Sequence, residues 1–305
     1  MSGVFAGFAT IAVIIAFGLL LGHVGVVDAR GQRTLGAVAF FLASPALLFS
    51  VLQDSDISRV FSGNLVAISA AVLVTSTMTV GVARIRRQEL GRSVVATMCS
   101  SYSNAGNLGL PIAAYVLGDT ALIAPVLLLQ LLVLQPLALT ALDVAVSPGR
   151  RSLGQVVSRP LRNPITLASM AGIAVAVTDV EVPAAVNDPI GLLGGMAVPS
   201  MLLAYGVSLR LGPLPGRGVA PGELGLTVGL KLLAQPAVAY LVGLLVGLDQ
   251  DALLAVTVIS ALPTAQNVFI VASRYGRAEL LARDAIFVST LGCVPVVVAI
   301  VAVVA

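Results

Sequence analysis

Tryptophan is absent from this chain, histidine and lysine occur once each, and only 10% of the residues are charged. A soluble domain carries roughly 25% charged residues. With so few, and with 58% of positions hydrophobic, the chain cannot surround itself with a water-facing surface. The two cysteines, Cys99 and Cys293, are too few for a disulfide framework, and nothing about them indicates a metal site. No serine-histidine pair, ligand cluster or phosphate-cradling glycine loop is evident, so neither an intramembrane enzyme nor a cofactor or metal is expected. The lone histidine, His23, falls at the end of an apolar run and reads as a solvated loop residue. The nominal pI of 9.2 does not indicate nucleic acid binding, because the arginines are spread over several short loops and form no single basic face.

What the chain has in abundance is apolar sequence, with a mean hydropathy of +1.04. Apolar runs fall near 4–22, 34–52, 61–83, 93–117, 120–145, 164–177, 189–209, 222–247, 251–275 and 280–304, the sixth being the shortest. Most are about 20 residues long, enough to cross a hydrocarbon core of about 30 Å. The first begins almost at Met1 without a basic leader or a small-residue cleavage site, so it reads as a retained helix in contact with lipid. Segments 30–33, 84–92, 150–162, 210–217 and 274–283 carry 15 of the 17 basic residues, all after odd-numbered runs. The loops after even-numbered runs hold only Arg59, among acids such as Asp54, Asp119, Glu181 and Asp249. The positive-inside rule then puts the odd loops in the cytoplasm and both termini outside. Arginine outnumbers lysine sixteen to one, a bias suggestive of a GC-rich bacterial genome and hence of a bacterial inner membrane.

Five runs per half require the second half to insert upside down relative to the first. Asn104-Ala-Gly-Asn107 in the fourth run aligns with Thr264-Ala-Gln-Asn267 in the ninth at an offset of 160, which also pairs Tyr115 with Tyr275. Pro45 corresponds to Pro199, and Pro136 roughly to Pro295. The expected fold is all-α and integral to the membrane: ten spans in two inverted repeats, 1–146 and 164–305, joined by a cytoplasmic linker at 147–163. Inverted repeats recur in secondary transporters.

The fourth and ninth runs break the rules of an ordinary span. Proline and glycine interrupt them beside asparagine, glutamine and hydroxyl side chains, in Asn104-Ala-Gly-Asn-Leu-Gly-Leu-Pro111 and Pro263-Thr-Ala-Gln-Asn267. One such break is as readily explained by helix packing. Two in matching places indicate discontinuous helices that meet near the midplane and offer helix N-termini and amides to a substrate, with Asn104, Asn107, Gln266 and Asn267 lining the site. No carboxylate lies in the middle of a span, which suits a small organic anion better than a metal cation. Lys231 in the eighth run has two readings: it neutralises the anion, or it snorkels to the cytoplasmic surface. Gln130 and Gln135 either face the cavity or bond a neighbouring helix.

These two motifs, Asn104 to Ile112 and Pro263 to Phe269, resemble the auxin efflux carrier family, which includes bacterial malonate carriers and the plant PIN-FORMED auxin transporters. The resemblance extends over essentially the whole chain. It implies a scaffold domain and a transport domain, broken helices crossing at Pro111 and Pro263, an elevator motion and a homodimer. It also implies that Asn104 binds the substrate carboxylate and that Gln130 contributes beside it. The short central linker departs from the long plant loop, and a helix 2 serine of the plant members has no counterpart here, where Leu48 stands. Auxin is therefore not favoured. The expected function is a secondary carrier of a small mono- or dicarboxylate; the alternatives are a sodium-coupled symporter of the bile-acid type and a non-transporting membrane receptor.

Overall fold

The computed structural model describes residues 2–54, 63–109, 112–146, 164–178 and 180–304; the linker at 147–163, Arg59 and Pro111 lie outside the described residues. Within them the chain is helical and forms no strand. The helices are α1 (Ser2–His23), α2 (Ala29–Gln53), α3 (Gly63–Ile85), α4 (Leu90–Ser101), α5 (Pro125–Val146), α6 (Pro164–Thr178), α7 (Ala184–Leu211), α8 (Pro221–Leu245), α9 (Gln250–Ser260), α10 (Asn267–Tyr275) and α11 (Glu279–Val304). Six of them (α2, α3, α5, α7, α8 and α11) are long and apolar enough to cross a membrane. Between α4 and α5 lie two five-residue π-helical turns, Ala105–Gly109 and Ala113–Leu117.

Local chemistry sets the ends. Asp28 accepts hydrogen bonds from the amides of Arg30 and Gly31, so α2 starts five residues before the apolar run does. Asp249 caps α9 in the same way through Ala252. Three π-helical turns, Ala39–Ala43, Gln130–Leu134 and Leu230–Ala234, each end two residues before a proline: Pro45, Pro136 and Pro236. Proline cannot donate to the preceding turn and its ring crowds that carbonyl, and a widened turn relieves the clash.

Helix pairing follows a repeating scheme. α1 packs on the second half of α7, and α6 on the second half of α2; α3 packs on α8; α4 packs on α3, and α9 on α8. Glycines allow the closest of these approaches. A Cβ at Gly18 would stand 2.4 Å from the Leu203 carbonyl oxygen, and one at Gly206 only 2.1 Å from that of Ile15. At the α6–α2 contact, a Cβ at Gly172 would come within 2.8 Å of the Phe49 oxygen. The helices thus fall into one group of α1, α2, α6 and α7 and a second of α3–α5 and α8–α11, with Tyr205 of α7 stacked edge-on against Phe269 of α10 between them.

One charged residue sits differently from the sequence reading. Arg283, counted among the loop cations, is 1% exposed near the start of α11 and pairs with the buried Asp284. Asp284 also accepts the Gly216 amide, and the Tyr205 hydroxyl donates to the Arg283 carbonyl. The pair ties α11 to α7 and to the loop that follows it.

Candidate functional site

The fourth and ninth apolar runs do not form continuous helices. α4 stops at Ser101 and α9 at Ser260, and the unwound residues after each meet in an antiparallel bridge between Ser103 and Thr264. The Asn104 amide donates to the Pro263 carbonyl at 2.8 Å, and the Ala265 amide to the Tyr102 carbonyl at 3.1 Å. The Thr264 hydroxyl donates to the Cys99 carbonyl at 2.6 Å, and the Thr264 amide to Ser289 Oγ. Backbone groups freed by each break are therefore satisfied by the other, which is what unwound chain away from water requires.

On one side of this crossing the chain restarts as helix. α10 begins at Asn267, and the turn Ala105–Gly109 begins just after Asn104. Both starts face a cavity of about 360 Å³, walled by Leu47, Leu48 and Val51 of α2, Val198 and Met201 of α7, and Gln130 of α5. Of the residues expected to bind substrate, Asn104, Gln130, Gln266 and Asn267 all line it. The side chain of Asn107 lies outside the described residues, as does Pro111. Pro263 is buried in the crossing and contributes its carbonyl there. Asn104 Nδ2, both polar atoms of Gln130, and Asn267 Oδ1 have no hydrogen-bond partner among the described residues. Buried amides left unpartnered are costly and point to a ligand that satisfies them. α10 adds a positive N-terminal end, worth roughly half a unit charge. Among the described residues, no charged side chain lines the cavity.

The opposite side of the crossing holds the C-terminal, electronegative ends of α4 and α9, and here Lys231 takes a role outside both sequence readings. It neither reaches the surface nor lines the cavity. Fully buried, its ammonium donates to the Ser260 carbonyl at 2.8 Å and to Gln235 Oε1 at 2.6 Å. Gln235 Nε2 in turn donates to the Ser101 carbonyl at 3.2 Å. A cation against helix C-termini is the favourable electrostatic arrangement. Gln135 holds the break from another direction by accepting the Tyr102 hydroxyl at 2.7 Å, and that hydroxyl also meets Asn267. Sequence reading passed over Gln235 and Tyr102. A signal was present in the two Gln-Pro pairs, Gln135-Pro136 and Gln235-Pro236, each following a similar apolar stretch.

A chain that is helical in its described residues, with several membrane-length helices, crossed broken segments and a cavity at the crossing that carries amide side chains on an otherwise apolar wall, belongs to the class of multi-pass membrane transporters. The chain is a member of the membrane transport protein family, the auxin efflux carrier family, whose model matches residues 4–301. It is 28% identical over 290 residues to a Rhizobium meliloti protein named "Putative malonate transporter", covering 90% of this chain and 89% of the relative. It is also 26% identical over 290 residues to an "Uncharacterized transporter" of Methanothermobacter thermautotrophicus, covering 92% of each.

Proposed function

We propose that this protein is a secondary carrier for a small organic anion, a mono- or dicarboxylate, which binds in the cavity at the crossing. The observation that carries the reading is the convergence there of a half-helix N-terminus with unpartnered amide groups of Asn104, Gln130 and Asn267. Amide donors and a positive helix end suit a carboxylate, and the amide oxygens accept from a hydroxyl or a protonated second acid group. With no cationic side chain among the described lining residues, and a helix end worth only roughly half a unit charge, a monoanion, or the half-protonated form of a diacid, is the species that fits. The name of the Rhizobium relative supports malonate as a candidate.

The paired packing of α1 on α7 and α6 on α2 in one group, and of α3 on α8 in the other, supports two inverted five-helix repeats. The cavity lies where the α2 and α7 walls meet the crossing, and sliding of the crossing group past those walls would open it to alternate sides, as in an elevator. The arginine distribution supports a cytoplasmic position for the odd loops, with both termini outside the inner membrane. Against sodium coupling stands Lys231, whose ammonium already occupies the Ser260 carbonyl that would otherwise be free to hold a cation.

Flux of small carboxylates and of indole-3-acetate into proteoliposomes tests the reading, by current and by radiolabel, with sodium replaced by choline in a parallel set. Transport of one acid class, unaffected by choline and reduced at least a hundredfold in folded Asn104→Ala and Asn267→Ala proteins, is expected. Wild-type rates in both variants would overturn the site; sodium dependence would favour the symporter, and binding without flux a receptor.

A further inference from the structure

A second, larger cavity lies apart from the crossing. It is a groove of about 700 Å³ between α3, α4 and α5, with a mostly apolar wall that includes Leu73, Val133 and Leu137. These three are 67%, 44% and 63% exposed, so the groove opens sideways, toward lipid in a membrane-spanning chain. Along α3 it follows one helical face from Ser69 to Arg84, a length of ~22 Å at about 1.5 Å per residue. One leaflet contributes about half of a ~30 Å hydrocarbon core. The groove therefore has the depth of an acyl chain and its glycerol region.

Its charged mouth decides the headgroup. Arg84 lines the groove at the end of α3, is exposed, and makes no ion pair with a described residue. Arg86 and Arg87 follow it, both exposed, in the turn leading to α4. The nearby acids are already taken: Glu223 by Arg92 and Gln88, and Glu89 by Arg277. An unneutralised arginine cluster at the end of an apolar groove attracts an anionic phosphate, whereas a zwitterionic headgroup gains much less.

We propose that this groove is a binding site for an anionic phospholipid, with an acyl chain between α3, α4 and α5 and the phosphate at Arg84. The groove ends at Tyr102, whose other face lines the candidate substrate cavity and whose hydroxyl is bonded to Gln135. An occupied groove thus supports one wall of that cavity from behind.

The absence of tryptophan gives a clean test. Leu137→Trp puts a single fluorophore in the groove, and Leu192→Trp, at a 77% exposed position on α7, provides a lipid-facing control. Each full-length protein is reconstituted with phosphatidylglycerol or phosphatidylcholine carrying brominated chains, which quench on contact. The expected result is roughly five-fold tighter association of phosphatidylglycerol at Leu137→Trp, the worth of one basic residue near a membrane. No headgroup preference is expected at Leu192→Trp, and Arg84→Gln in the Leu137→Trp background should remove the preference. Equal quenching by both lipids in the groove overturns the proposal. So does a preference that survives Arg84→Gln, or quenching by a brominated fatty acid with none by phospholipid. Because the readout is lipid contact and not transport, it is independent of the proposed substrate.

Discussion

A buried ammonium held by two neutral oxygens is an uncommon way to use a lysine, and Lys231 shows why one side chain can matter without touching substrate. Removing it by Lys231→Met leaves the Ser260 carbonyl and Gln235 Oε1 without a donor in a dry interior. Each unmade bond there costs about 1–3 kcal/mol. The expected outcome is a clear fall in the unfolding temperature of the detergent-solubilised protein, with the substrate Kd of the folded fraction within about two-fold of the parent, since the side chain does not line the cavity. A tenfold or larger weakening of anion binding at unchanged stability would restore Lys231 as a substrate partner. Asn104, Gln266 and Asn267 were legible in the sequence because amides amid apolar residues are conspicuous and their spacing recurs at an offset of 160. The placement of Lys231 was not legible. Whether a lysine that far into a span bends outward or inward depends on the elements packed against it, here α9 and, through Gln235, the end of α4, which lies far away in sequence.

Helices were legible to within a few residues wherever apolar composition defined them, as in α6 and α11. They were misjudged where polar chemistry did, as at the Asp28 cap of α2. The breaks in the fourth and ninth runs were expected from proline and glycine, but the π-helical turns before Pro45, Pro136 and Pro236 were not, since hydropathy does not register the width of a turn. The glycine contact between α1 and α7 also belongs to this scale. Gly206→Val would drive a side chain into the Ile15 carbonyl, and overpacking of this kind costs about 1–3 kcal/mol. Lower thermal stability is expected for it, while Gly229→Ala, at a helical glycine with open space around it, should be close to neutral. Equal stabilities for the two would mean that α1 and α7 are not held at this contact.

In the whole molecule, the wall formed by α2 and α7 and the crossing meet at one cavity, and transport on the proposed mechanism requires them to slide. Joining them should stop it. Val198, on α7, and Ala265, in the crossing, line the same cavity and can be replaced by cysteine, and the native Cys99 and Cys293 are buried. Bridging the introduced pair with a reducible bismaleimide is expected to abolish flux, and reduction to restore it; undiminished flux in the bridged protein would exclude relative motion of these parts. The antiparallel contact between Ser103 and Thr264 has a further consequence for how the molecule opens. Interruptions in membrane helices ordinarily let amide protons trade with solvent deuterium quickly. Here the amides of Asn104 and Ala265 are each locked on a carbonyl of the other strand. Peptides spanning 102–105 and 263–266 should therefore label as slowly as the middle of α3, marking the irregular part of the fold as its most durable. Rapid labelling at these two places would instead mean that the crossing comes apart in the resting protein.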